Sequence, residues 1–165
     1  MKLPECEEQW IQLTQTDATS NEQLHDFLRS CSAHATKLIR ASLKAGNPRE
    51  REYSFRATEL LDLNLRQELL PDLVVLACEP SYVPTILRSR EVLLTFPKEW
   101  LCQHIETAAE PLLASEDEWV YRRLLELYAR IEISLTLRLA NRAVQHPNPE
   151  IQRAGEEFLD NPHPR

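Results

Sequence analysis

Glycine is nearly absent from this chain: two residues in 165. With Gly46 and Gly155 alone, no glycine-rich loop can form to cradle phosphates, so nucleotide binding by that route is excluded. No C-x-x-C pair occurs either. Cys6, Cys31, Cys78 and Cys102 are far apart at apolar helical positions, which points to reduced, buried thiols and away from disulfides. No apolar run approaches the ~20 residues of a membrane-spanning helix. Glu5, Glu7 and Glu8 stand where a secretory leader has a basic start and an apolar core, so the expected location is the cytoplasm. Basic charge is also short. Nineteen Lys and Arg against 26 Asp and Glu leave a net charge of -7, which repels phosphate backbones and disfavours nucleic acid as a partner.

What the chain does have is helix-forming residues. Leu, Ala, Glu, Arg and Gln dominate, all of which lose little on entering a helix, and an all-α chain follows. Its length suits one domain with a sizeable core. Four times an apolar helical stretch meets a short break and a second stretch follows: Gly46-Asn47-Pro48, Cys78-Glu79-Pro80, Ser115-Glu116-Asp117 and Pro147-Asn148-Pro149. Pro48, Pro80, Asp117 and Pro149 stand 32, 37 and 32 residues apart, a period that predicts stacked helical hairpins.

The helical stretches carry recognisable ends. Pro4 suits a first turn, the acids after it suit the positive end of the helix dipole, and this first helix is expected to run to about Gln15. Thr16 to Ser20 breaks it. Ser20 with Gln23 makes a capping box for a second helix bearing Leu24, Phe27, Leu28 and Cys31. Ser32 starts a third with Ala35, Leu38, Ile39 and Leu43, and Gly46 is its expected C-terminal cap. Tyr53, Ala57, Leu60 and Leu61, then Leu69 to Ala77, form the next pair, and Ile86, Leu87, Leu93 and Leu94 continue the apolar side. Leu101 to Leu113 pairs with Val120 to Ile131, and Leu135 to Val144 with Ile151 to Leu159. Pro71 and Pro111 fall inside first helices, where a kink is expected.

A bent first helix and an Asn/Asp-Pro turn into a second helix rich in Arg, Ala and Leu resemble HEAT-type repeats. The resemblance rests on Leu69-Leu70-Pro71-Asp72-Leu73-Val74-Val75-Leu76, on Pro111-Leu112-Leu113 through Val120-Tyr121-Arg122-Arg123-Leu124-Leu125, and on Asn148-Pro149-Glu150-Ile151-Gln152-Arg153-Ala154. It spans about Ser32 to Asp160, with Glu79 replacing the usual Asn or Asp and no proline at Ser115-Glu116-Asp117. It implies a short right-handed superhelix of about four hairpins over residues 32–160, capped by a divergent helical pair over 1–31 and followed by a tail over 161–165. The Trp, Gly-Tyr and late Pro of tetratricopeptide units are not visible here.

Chemistry-bearing residues are scattered. Cys31 with His34 and Cys102 with His104 do not reproduce the paired-ligand spacing of zinc modules, so no metal or cofactor is expected. His25, His34, His104 and His146 fall on different stretches, with no nucleophile and orienting group beside them, and catalysis is not expected. One arginine per second helix is the more informative set. Arg56, Arg90, Arg123 and Arg153 recur at intervals of 34, 33 and 30. They form either a stabilising ladder, the use the resemblance implies, or a row along the concave face that grips a carboxylate-bearing protein partner. Tyr82, Trp119 and Tyr121 open second helices near the same rim, where aromatics beside arginine suit interface anchors. Two charge blocks frame these choices. Lys37 to Arg66 holds seven basic residues against four acidic ones, and Glu99 to Glu118 holds six acids and no base. A non-catalytic protein-binding module is the preferred expectation. The alternative is an enzyme or enzyme subunit of the kind that HEAT-like arrays form in bilin-attaching lyases.

Overall fold

A computed structural model describes residues 1–16, 19–45, 47–79 and 82–162, and among them eleven α-helices and no strand. In chain order they are α1 (Leu3–Gln15), α2 (Asn21–Ser30), α3 (Ser32–Ala45), α4 (Pro48–Leu60), α5 (Leu63–Gln67), α6 (Leu70–Ala77), α7 (Val83–Leu94), α8 (Lys98–Leu113), α9 (Glu118–Ile131), α10 (Ile133–Val144) and α11 (Pro149–Asp160). They gather into two compact units, Met1–Asp72 and Leu73–Arg165, with the boundary inside α6.

The helix starts obey local chemistry. Ser20 Oγ accepts from the Gln23 amide while Gln23 Oε1 accepts from the Ser20 amide, so the expected capping box closes in both directions. Asn47, Asp117 and Asn148 each place a side-chain oxygen on the first amides of α4, α9 and α11. The cap expected at Gly46, Pro80 of the second junction and part of the Thr16 to Ser20 break lie outside the described residues.

In the first unit, Trp10 of α1 packs on Phe27 of α2 at 5.0 Å between ring centres, and its Nε1 donates to Ser42 Oγ of α3 at 2.8 Å. Leu24, Phe27, Ile39, Leu43, Phe55 and Ala57 complete the buried centre. Arg40 Nε reaches Asp72 at 2.9 Å and its Nη2 reaches the Glu68 carbonyl at 2.7 Å, while Lys44 Nζ sits 3.2 Å from the same Asp72. Part of the basic block is therefore neutralised within its own unit.

Two expectations are corrected here. Cys6 and Cys31 are joined in a disulfide, with Cα atoms 5.8 Å apart, whereas Cys78 is a buried free thiol and Cys102 a half-buried one. The sequence separation of 25 between Cys6 and Cys31 hides the proximity that antiparallel packing of α1 on α2 creates. Pro71 does not bend a continuous helix. Helix α5 ends at Gln67 and α6 begins at Leu70, placing Pro71 in the first turn of α6, where its missing N–H has no intrahelical partner to lose. Pro111, by contrast, is interior to α8, near its last turn.

In the second unit α9, α10 and α11 pack on one another and α8 packs on α9. Tyr121, Leu124, Leu125, Leu127 and Tyr128 of α9 are fully enclosed with Leu135, Ala140, Ala143, Ile151 and Ala154. The turn between α8 and α9 ends α8 with Glu116 at φ 54°, the left-handed position that glycine usually fills. Gly155 is the close-approach point of α10 and α11. A Cβ there would meet the Ala140 carbonyl oxygen at 2.7 Å and the Val144 nitrogen at 2.9 Å, both backbone atoms. Gly155→Ala is expected to force the two helices apart and to cost about 1–3 kcal/mol, despite alanine's better helix propensity. Thermal unfolding of the variant against the parent measures it.

Candidate protein-binding surface

Charge pairs organise the second unit laterally. Lys98 pairs with Glu132 at 2.7 Å; Glu106 takes two bonds from Arg138 at 2.9 and 3.0 Å; Glu110 takes two from Arg142 at 2.6 and 2.8 Å. Residue numbers rise together in these pairs, so α8 and α10 run side by side in the same direction. Arg122 likewise ties Glu118 in its own helix to Glu157 of α11, at 2.7 and 2.5 Å. Of the acidic block from Glu99 to Glu118, Glu106, Glu110 and Glu118 are thus paired. Beside the α8 and α10 pairs lies a groove of about 200 Å³ lined by Glu106, Glu110, Leu113, Tyr128, Arg138, Leu139 and Arg142.

Protonation follows from these contacts. Hydrogen bonds from Arg142 hold the Glu110 carboxyl below the usual carboxylate range, and Arg122 does the same for Glu157. Burial pushes the Cys78 thiol up to about 12, against the opposing influence of Arg90 and Arg123, so it stays a neutral thiol. The Tyr128 hydroxyl is also raised, chiefly by burial.

The arginine series divides. Arg90 of α7 is 5% exposed, and its Nη2 donates to the Arg123 carbonyl at 3.0 Å and to Glu126 Oε2 at 2.9 Å. Arg123 Nη1 donates to the same oxygen at 3.0 Å. Two guanidiniums therefore share one carboxylate oxygen, and both Nε atoms are buried without a hydrogen-bond partner. Arg56 lies in the first unit, 5.4 Å over the Tyr53 ring, donating to the Thr19 carbonyl and to Asn21 Oδ1. Arg153 is exposed on α11 and pairs with Glu150 three residues earlier. Tyr121 is buried, its ring 5.4 Å from His146. Only Arg90 and Arg123 of this set come together.

Sequence periodicity missed the apolar part of the surface. Val83, Leu87 and Leu94 are 57, 46 and 43% exposed, and at ~100° per residue they fall within ~40° of one another on α7. Leu87 and Leu94 were expected to face inward. Ile86 and Leu93, one residue earlier in each pair, take the buried face instead, and adjacent helical positions point ~100° apart. Arg90 borders that stripe. On α9 the exposed face carries Trp119, 56% exposed, with Arg123 and Glu126 on the same side, so the Arg90 to Glu126 bond joins the two exposed faces. The offset of Arg90 from Ile86 and Leu93, at the rim of the apolar pattern, was the available signal.

Among the described residues, no group of three or more His, Cys, Asp or Glu is placed to hold a metal ion, and no helix is long and apolar enough to cross a membrane. Cys31 is committed to its disulfide, and His146 Nδ1 accepts from the Asn148 amide at 3.1 Å. Comparison with known proteins brings no family model that matches the chain and no curated protein that resembles it in sequence.

Two measurements separate buried from exposed arginines. Arg90→Ala is expected to lower stability by about 2 kcal/mol or more, because a buried cation is lost from a shared carboxylate, and Arg153→Ala by under ~0.5 kcal/mol. Denaturant melts of both variants read this directly. For the α8 to α10 pairs, the folded carboxyl of Glu110 lies below its unfolded value, so its contribution is present above the unfolded value and lost as pH falls through the folded one. The melting temperature of the parent should exceed that of Glu110→Gln by a degree or two from pH 7 to about 5, and the gap should close below about pH 4.

Proposed function

We propose that the chain is a HEAT-like helical repeat protein, a short right-handed solenoid with an N-terminal helical cap, and that it is a non-catalytic, cytoplasmic module that binds another protein. The repeat reading is supported by contacts one period apart: Arg40 to Asp72, Glu106 to Arg138 and Glu110 to Arg142 each span 32 residues, Arg90 to Glu126 spans 36, and Arg122 to Glu157 spans 35. Corresponding helices of successive hairpins would meet at such intervals.

The binding reading is carried by one observation. Val83, Leu87 and Leu94 form an exposed apolar stripe, and Arg90 connects it to the face of α9 that presents Trp119. An exposed tryptophan on α9, an exposed aliphatic stripe on α7 and, joining the two helices, a cluster with two cations to one carboxylate suit a partner segment with apolar anchors and an acidic group. This narrows the partner-contacting role from the whole arginine series to Arg123, with Arg90 holding the two helices together behind it. Arg56, Tyr121 and Arg153 have no part in this face.

The test is a paired capture. The parent and a Trp119→Ala, Leu87→Asp double variant are immobilised and exposed to extract of the source cell, and retained proteins are quantified by mass spectrometry. Both substitutions are at exposed positions, so the melting temperature should stay within ~3 °C. The expected result is a protein retained by the parent and reduced ~10-fold or more by the variant. Equal retention on a folded variant removes this face from the proposal.

A further inference from the structure

Of the first nine residues, all of them described, Cys6 alone is buried. The rest of α1 is held differently. Trp10 packs tilted on Phe27 and is bonded to Ser42, Leu13 is buried and its carbonyl accepts from Thr19, and the Gln15 carbonyl accepts from Arg49. The bonds at the start of α1 are local, such as the Lys2 amide to Glu5 Oε2 at 3.0 Å. Gln9 adds a 3.5 Å contact with Ser30 Oγ at the far edge of this segment. Docking of the first two turns therefore depends on one covalent bond. Its other end, Cys31, is the single residue between α2 and α3.

We propose that the Cys6–Cys31 disulfide is a thiol-responsive latch that fixes the first two turns of α1 to the first unit. This goes beyond the protein-binding reading and rests on the other unit. Both sulfurs are buried, and the Met1 thioether lies 3.6 Å from Cys31 Sγ while the Met1 residue itself is exposed. Gln9 Oε1 at 3.6 Å and Ser30 Oγ at 4.0 Å also touch this sulfur, and a thiol reaches it by displacing these half-buried and exposed side chains together with Met1. A thiolate of glutathione then attacks Cys31 Sγ, the Sγ–Sγ bond breaks, and the Cys6 thiolate leaves and takes up a proton. A second glutathione resolves the mixed disulfide, releasing glutathione disulfide and the Cys31 thiol. Two thiols are made on the protein as two glutathiones become one disulfide. With the bond gone, burial of a single small side chain is set against the entropy of ordering two helical turns, and the segment undocks. Trp10 marks where the loosening stops.

Hydrogen exchange tests this on the full chain, after equilibration with glutathione disulfide and again after dithiothreitol. The amides of Glu7, Glu8 and Gln9 are expected to exchange at least ten-fold faster when reduced, with those of Leu13, Thr14 and α2 unchanged and protection restored on re-oxidation. Cys6→Ser is expected to show the fast pattern under both conditions. Thiol titration of the denatured oxidised protein should find two free thiols. Four free thiols, unchanged protection of residues 7–9 on reduction, or loss of protection throughout the first unit would each overturn the proposal. The last result would make the bond a staple of the whole unit.

Discussion

Opposite charges placed one helical hairpin apart along the chain are the constraint on which the arrangement of the second unit depends. Each exposed pair contributes little energy, typically under ~1 kcal/mol. Their effect is on register. Glu106 and Glu110, one turn apart on α8, meet Arg138 and Arg142, one turn apart on α10, and a slip of either helix by a residue would separate both pairs together. Stability itself comes from the enclosed side chains of α9, α10 and α11, above all Tyr121 and Tyr128. The pairs choose one alignment among those that such burial would tolerate.

The same pairing changes how composition is to be understood. A block of six acids between Glu99 and Glu118 reads in sequence as a solvated helix face or a partner surface, but Glu106, Glu110 and Glu118 already have partners from α10 and α9. The basic block is answered in the same way at Asp72. What these pairs leave exposed is apolar area on α7 and α9, beside a cluster where cations outnumber carboxylates two to one.

Much of the helical outline was legible because capping and proline chemistry act over three or four residues. Ser20 and Gln23, Asn47 and Pro48, Asp117, Asn148 and Pro149 each mark a start that the structure keeps. The break between α5 and α6 was harder to see, since Leu65, Leu69, Leu70 and Leu73 continue an apolar pattern across it. Facing was legible only where the pattern was sparse. Neighbouring apolar residues such as Ile86-Leu87 and Leu93-Leu94 leave the inward member undetermined, and so concealed the exposed stripe. The arginine series had the right period, yet its members differ because each meets a local partner: a tyrosine face for Arg56, a shared carboxylate for Arg90 and Arg123, a near neighbour for Arg153. The union of Cys6 with Cys31 is a tertiary fact that no spacing rule announces.

The tight seat of Gly155 against the backbone of α10 has a mechanical meaning. Where main chain rests on main chain there is no side chain to re-pack, so α10 and α11 must travel as one stiff body when the unit is loaded. Compliance then concentrates at the joints that lack such a seat. Glu132 is the one residue linking α9 to α10, its backbone extended at φ -161° and ψ 130°, and its side chain is held by Lys98 from α8. A pull on the end of α11 would thus be shared between that joint, guarded by a lysine, and the direct tie of Glu157 to Arg122 of α9.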